Sequence, residues 1–264
     1  MIAIDAHVHL RRCFGLTSFL DHATANFRRA SHHPPLGVLL LAETAGCVPF
    51  QDLVGLPGDP TGGWVFERTP EPGSILARSR SGSLLLLVAG RQIVTRERLE
   101  VLSLASTARI EDGLPADAAI RAARDAGAIA VLPWGFGKWW GRRGGVVRRI
   151  LESTRPGELF VGDNGNRPRP GPRPRLFGVA EGRGILVLPG SDPLPWPDQI
   201  TRVGSYGAVL SVPLDLERPA SGIGAVLRGR AASPPSFGRR EGPTGFLRAQ
   251  LRAQGSARGR SESP

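Results

Sequence analysis

The chain has 264 residues, 41% of them hydrophobic, and a formal net charge of +11. That is enough apolar material for a sizeable core, and no apolar run approaches the ~18 residues of a membrane span, so no membrane partner is expected. Cys13 and Cys47 are too few for a disulfide framework, and the N-terminus has neither the basic stretch nor the long apolar run of a signal peptide. The expected location is therefore cytoplasmic. More than half of the excess charge falls in residues 228–264, where eight arginines meet two glutamates, and Lys138 is the only lysine in the chain. With abundant Ala, Gly and Pro, such charge reads as GC-rich coding bias as much as a polyanion-binding face, so nucleic acid is a possible but not a favoured partner.

Residues 2–10 run Ile-Ala-Ile-Asp-Ala-His-Val-His-Leu, an apolar strand whose polar residues fall at Asp5, His7 and His9. A strand alternates its faces with period two, so the three side chains are expected to project together. Residues 16–30 have the spacing of an amphipathic helix, carrying His22, with His32 and His33 in a turn before Pro34-Pro35. Residues 36–42 form a continuous apolar strand ending in Glu43. Residues 48–94 break the rhythm with Pro and Gly between short strands, and are expected as an antiparallel insertion. Thr95 is placed to cap a helix over 96–105, with Leu99, Leu102 and Leu104 on its packing face.

The α/β alternation then resumes. A helix over 115–126 with Gly127 at its end precedes a strand over 128–133 and the loop Trp134-Gly-Phe-Gly-Lys-Trp-Trp-Gly. A helix over 145–153, a strand over 158–162, a short helix over 176–180 and a strand over 184–188 follow. That strand leads into Pro189-Gly-Ser-Asp192, and residues 208–212 form the last expected strand. Residues 244–254 are expected as a terminal helix and 255–264 as a disordered tail. No repeat is present. The fold class this order predicts is α/β, a TIM-like or distorted (β/α) barrel with 48–94 inserted over its mouth, in a domain spanning residues 1–254.

Asp5-x-His7-x-His9 at the end of a first strand resembles the opening motif of the metal-dependent hydrolases of the amidohydrolase-like group, including the PHP phosphoesterases and the TatD-type deoxyribonucleases. Gly190-Ser191-Asp192 after a late strand resembles the final metal-ligand or general-base aspartate of the same group. The resemblance implies a barrel with a divalent metal (zinc or manganese, with iron possible) at the C-terminal ends of its strands. Imidazole and carboxylate ligands suit those ions on chemical grounds as well.

The sequence departs from that pattern in one respect. All five histidines are spent by residue 33, so no middle-strand histidine can join the site. The candidate metal ligands are then Asp5, His7, His9, Glu43, Asp163 and Asp192. Glu43 reads equally as a capping residue, and Asp163-Asn-Gly-Asn as a turn. The candidate catalytic groups are Asp192 or Glu43 as proton acceptor, with Lys138 and Arg167 stabilising developing charge. Arg167, Arg169, Arg173 and Arg175 have the forked geometry that suits phosphate, so the expected substrate is a small phosphorylated anion. The expected function is a metal-dependent hydrolase, a phosphoesterase ahead of a cyclic amidohydrolase. The alternative is a non-catalytic anion-binding or interaction protein on the same scaffold.

Overall fold

The computed structural model describes residues 1–30, 36–56, 59–169 and 171–261, so the expectation for His32 and His33 lies outside the described residues. The strands form two mixed sheets. The seven-stranded sheet takes β1 (Ile2–Val8), β2 (Leu36–Leu41), β3 (Trp64–Arg68), β4 (Ser74–Ser79) and β5 (Leu84–Val88) with two later strands. These are β11 (Tyr206–Leu210) and β12 (Ser236–Gly238). Its order is β12-β11-β1-β2-β5-β4-β3. The five-stranded sheet runs β10-β9-β8-β7-β6. It contains β6 (Gly90–Val94), β7 (Glu100–Leu104), β8 (Ile129–Pro133), β9 (Phe160–Asn164) and β10 (Val187–Gly190).

This overturns the expected TIM-like barrel. Two open sheets replace a closed ring of parallel strands, with antiparallel pairs at β1/β11, β3/β4, β4/β5, β6/β7 and β7/β8. Segment 48–94 is correspondingly no insertion over a mouth. Its strands β3, β4 and β5 extend the large sheet, with β5 parallel to β2. Likewise 96–105 is no helix: it contributes β7, hairpinned to β6 through a turn in which Thr95 Oγ1 accepts from Leu99 N and Arg98 has a φ of 60°. Leu99 and Leu102 have helical spacing but Leu102 and Leu104 have strand spacing, and β-pairing with β6 and β8 decided between them.

Apolar alternation puts three cores into this frame. Ile2, Ile4, Val38, Leu40, Leu86 and Val88 meet Leu102, Leu104, Ile129, Val131 and Leu188 between the two sheets. Helix α6 (Pro219–Arg228) adds Ala220, Ile223 and Leu227 to that layer. On the outer face of the large sheet, α1 (Leu16–Ala30) buries Phe19, Leu20, Ala23 and Phe27. Three more helices, α3 (Ala116–Asp125), α4 (Gly141–Ser153) and α5 (Arg175–Glu181), cover the five-stranded sheet. The short α2 (Phe50–Val54) and the long α7 (Pro243–Ser261) complete the order. Helix α7 runs past residue 254 through residues expected as tail; 262–264 are outside the described residues. Among the described residues no helix is long and apolar enough to cross a membrane.

The sheets approach at two seams. Glu43 N donates to Gly90 O (3.0 Å) and Gln92 N to Glu43 O (2.9 Å), joining the end of β2 to β6. Asp192 N donates to His7 O (2.8 Å), joining the residues after β10 to β1. Glycine is needed at both: a Cβ on Gly90 would lie 2.4 Å from Leu41 O, and one on Gly190 would lie 2.5 Å from both His7 N and His7 Cβ.

Candidate metal centre

The seam between β1 and β10 builds the site. Along β1 the pairing to β2 slips between Asp5 and Val8: Asp5 lies opposite Leu39 but Val8 opposite Leu41, so one extra residue is accommodated. The slip inverts the alternation. Ala6 still faces the core between the sheets, whereas Val8 faces the core under α1. The two histidines are thereby turned away from Asp5, and the expected common face of all three is lost.

His7 and His9 converge with Asp192. Their Nε2 atoms lie 3.1 Å apart, and Asp192 Oδ1 lies 3.6 Å from His7 Nε2 and 3.2 Å from His9 Nε2. These three residues form the one group able to hold a metal ion among the described residues. Ligand bonds of ~2.0–2.2 Å in a tetrahedron set ligand atoms roughly 3.4 Å apart, so the triangle fits one face of such a sphere. Two nitrogens and one oxygen leave the remaining coordination open, the arrangement of zinc hydrolytic sites and of two-His-one-carboxylate iron sites alike.

Surrounding groups hold this geometry. Asp192 sits at a φ of 46°, a left-handed conformation uncommon outside glycine but tolerated by aspartate, and its neighbours hold it there. Those neighbours are the bond to His7 O, Asn166 Nδ2 donating to Asp192 O (2.6 Å), and the amide groups of Asn164 and Asn166 donating to Oδ2. With Oδ2 so engaged, Oδ1 is the oxygen turned to the histidines. Behind His9, Cys47 Sγ lies 3.8 Å from Nδ1. Burial depresses the His7 imidazole to about 4, leaving it neutral and able to coordinate. Burial also opposes charge on His9, but the hydrogen bond and charge of Asp192, with the Cys47 contact, lift it above the ordinary value. Against its own burial, the electrostatic pull of the two imidazoles, the His9 hydrogen bond and the nearby Arg11 cation hold Asp192 well below the carboxylate range.

The other residues expected at the site are placed elsewhere. Asp5 is fully buried and accepts three main-chain N–H bonds, from His7 (3.2 Å), Ser191 (2.8 Å) and Gly204 (3.0 Å). It is a strut between β1, the residues after β10 and the turn before β11, not a member of the ligand group. Burial pushes its carboxyl up to about 7 against the pull of those N–H groups. Glu43 accepts from Phe50 N at the start of α2, and lines a separate cavity with Arg91 and Arg109. Asp163 is filled by Arg167 (Nε 2.7 Å, Nη2 2.8 Å) and by the Tyr206 hydroxyl (2.7 Å). Because Asp163 and Asn164 are successive on β9, only Asn164 can face Asp192. Arg167 is thus committed to Asp163 and does not line the metal pocket.

A cavity of about 320 Å³ opens from His9 and Asp192. Arg11, Gln92, Glu100, Lys138 and Asn164 supply its polar wall; Trp134, Phe136 and Trp196, with Phe246 of α7, supply the aromatic one. Lys138 reaches the pocket as expected but is ion-paired with Glu100, a residue hidden in the stretch read as helix. Arg11 was missed as well. Its guanidinium bonds only Pro193 O, Thr44 Oγ1 and, weakly, Cys47 Sγ, with no carboxylate partner among the described residues. The sequence signal for it, a cation two residues past His9 on the same alternation, was available.

No protein-family model matches the chain, and no curated protein matches it. Among solved structures, the chain is similar to the crystal structure of PsfC from Pseudomonas syringae PB-5123, with a TM-score of 0.53 over 96% of this chain and 98% of that one. At 14% identity the likeness shows the fold alone.

Proposed function

We propose that this chain is a metal-dependent hydrolase acting on a small phosphorylated substrate. One observation carries the reading: a buried triangle of His7, His9 and Asp192 opens into a pocket that also holds Arg11 and Lys138. The two sequence motifs that resemble the metal-dependent hydrolases meet at this one place, which supports the assignment. His7, His9 and Asp192 would hold a divalent cation, zinc, manganese or iron, which would supply Lewis acidity toward a phosphoryl oxygen and water.

The chain's own residues do the rest. Arg11, in no ion pair among the described residues, binds an anionic oxygen of the substrate and stabilises charge as it develops. Lys138 adds a second cation, attenuated by Glu100. Glu100, partly exposed beside Gln92 (Nε2 to Oε1, 3.2 Å), is the carboxylate placed to accept a proton, whereas Asp192 has its Oδ2 engaged by Asn164 and Asn166 and turns its Oδ1 toward the histidines. Trp134, Phe136 and Phe246 limit water. Free thiols at Cys13 and Cys47 fit a reducing compartment, so a cytoplasmic setting belongs to the same reading.

A second reading, a non-catalytic anion-binding protein, is favoured by the internal neutralisation of Lys138. Elemental analysis of wild type against His7→Ala/His9→Ala tests the site, and a phosphoester panel tests the chemistry. Near-stoichiometric metal lost in the double variant, with metal-dependent turnover, is expected. No metal after reconstitution with zinc, manganese or iron(II) removes the hydrolase mechanism; metal without turnover on any phosphoester leaves the second reading.

A further inference from the structure

On the other side of β9 lies a second cavity, of about 390 Å³, into which Asp163 rather than Asn164 points. Its wall carries five arginines, Arg167, Arg169, Arg173, Arg239 and Arg240, against two carboxylates, Asp163 and Glu181. Both carboxylates are already matched. Asp163 holds Arg167 in a two-pronged pair, and Glu181 holds Arg173 at 2.8 Å. Arg169, Arg239 and Arg240 are left without a carboxylate within ion-pair distance among the described residues. Side-chain bonds of Arg169 and Arg240 go only to main-chain oxygens, Arg240 O (3.1 Å) and Pro168 O (3.5 Å).

Their convergence is built by the main chain. Arg169 N donates to Glu241 O (2.9 Å), tying the segment after β9 to the segment after β12, and Arg239 N donates to Ser205 O (3.3 Å), pinning the latter to the turn before β11. Burial, and then the neighbouring charge of Arg167, lower the affinity of Arg240 for its proton, while Asp163 pulls the other way. The fold holds like charges together in a concave, polar space of the size that takes a small metabolite.

We infer that this cavity binds the phosphate groups of a small phosphorylated molecule through Arg169, Arg239 and Arg240, at a site separate from the metal pocket. Three unmatched guanidinium groups call for a ligand of at least two negative charges, and their planar forks suit phosphoryl oxygens. The cavity lies across β9 from His7, His9 and Asp192, so the inference stands whether or not the metal reading does.

The test is calorimetric titration of the full-length, chelator-treated protein with pyrophosphate at low ionic strength. Wild type and His7→Ala/His9→Ala are expected to bind one equivalent with equal affinity. Arg169→Ser/Arg240→Ser is expected to bind at least tenfold more weakly with an unchanged circular dichroism spectrum. The exposed single variant Arg239→Ser, read in the same way, is expected to weaken binding several-fold should the double variant not fold. Absence of binding by wild type overturns the inference. So does affinity unchanged in the arginine variants, or lost in the histidine variant instead. A single-stranded oligonucleotide that displaces pyrophosphate at lower concentration overturns the small-molecule assignment.

Discussion

Substitution of Gly190 by alanine probes the contact on which the metal centre depends. The added methyl carbon would lie 2.5 Å from His7 Cβ, 2.5 Å from His7 N and 3.0 Å from Ala6 C. Carbon atoms rest at ~3.5–4.0 Å, so β10 must retreat from β1 by roughly 1 Å, because most of what it meets is main chain. Overpacking of this kind costs about 1–3 kcal/mol. The retreat also strains two bonds across the seam, Asp192 N to His7 O and Ser191 N to Asp5 Oδ1, each worth about 1 kcal/mol. The expected loss is therefore about 3–5 kcal/mol in urea unfolding. A displacement of that size also exceeds the ~0.2 Å tolerance of a metal–ligand distance. Asp192 would leave the histidines, and zinc affinity in equilibrium dialysis should fall by at least tenfold. Gly178 of α5, where an added Cβ meets nothing within 4 Å, is the control: Gly178→Ala should gain about 0.5–1 kcal/mol and leave zinc binding alone. A Gly190→Ala protein as stable as wild type, with undiminished zinc affinity, would refute the role given to this seam.

Three further outcomes follow from the buried charges. Asp5→Ala strands three main-chain N–H groups and should cost about 3–5 kcal/mol at pH 5 by urea unfolding; a loss under 1 kcal/mol would show that these groups find other partners. Because the folded Asp5 carboxyl is raised from 3.8 to about 7, its contribution is present below about pH 4 and lost as pH rises through 7. Metal-free wild type should therefore lose stability across that window relative to Asp5→Asn, and parallel pH profiles would contradict the shift. At the triangle, His7 is neutral but His9 holds its proton above the ordinary value of 6.5, so zinc must expel about one proton. Affinity should rise towards tenfold per pH unit below the His9 pKa, and calorimetry in buffers of different ionisation enthalpy should count that proton; a count of zero would place the proton elsewhere.

The local code of the sequence put His7, His9 and Asp192 among six candidate ligands, and these three the fold brings together. His-x-His places two imidazoles two residues apart, and Gly-Ser-Asp carries its own backbone signal, a small residue for close approach followed by a carboxylate. The amphipathic spacing of α1 and the break at Gly127, whose φ is 74°, were legible for the same reason. What the sequence could not determine was everything set by pairing between distant segments. The slip opposite Leu39 and Leu41 turned Asp5 from a ligand into a strut, and it exists only because β1 lies against β2. The apolar positions of 96–105 serve a helix or a strand, and only β6 and β8 on either side made them β7. Arg167 and Asp163 look like independent site residues in the chain, yet four positions apart beyond a strand end they neutralise each other. Whether strands close into one ring or settle into two sheets depends on which edges meet. That is a property of hydrogen bonds between residues far apart in sequence, and only the tertiary structure decides it.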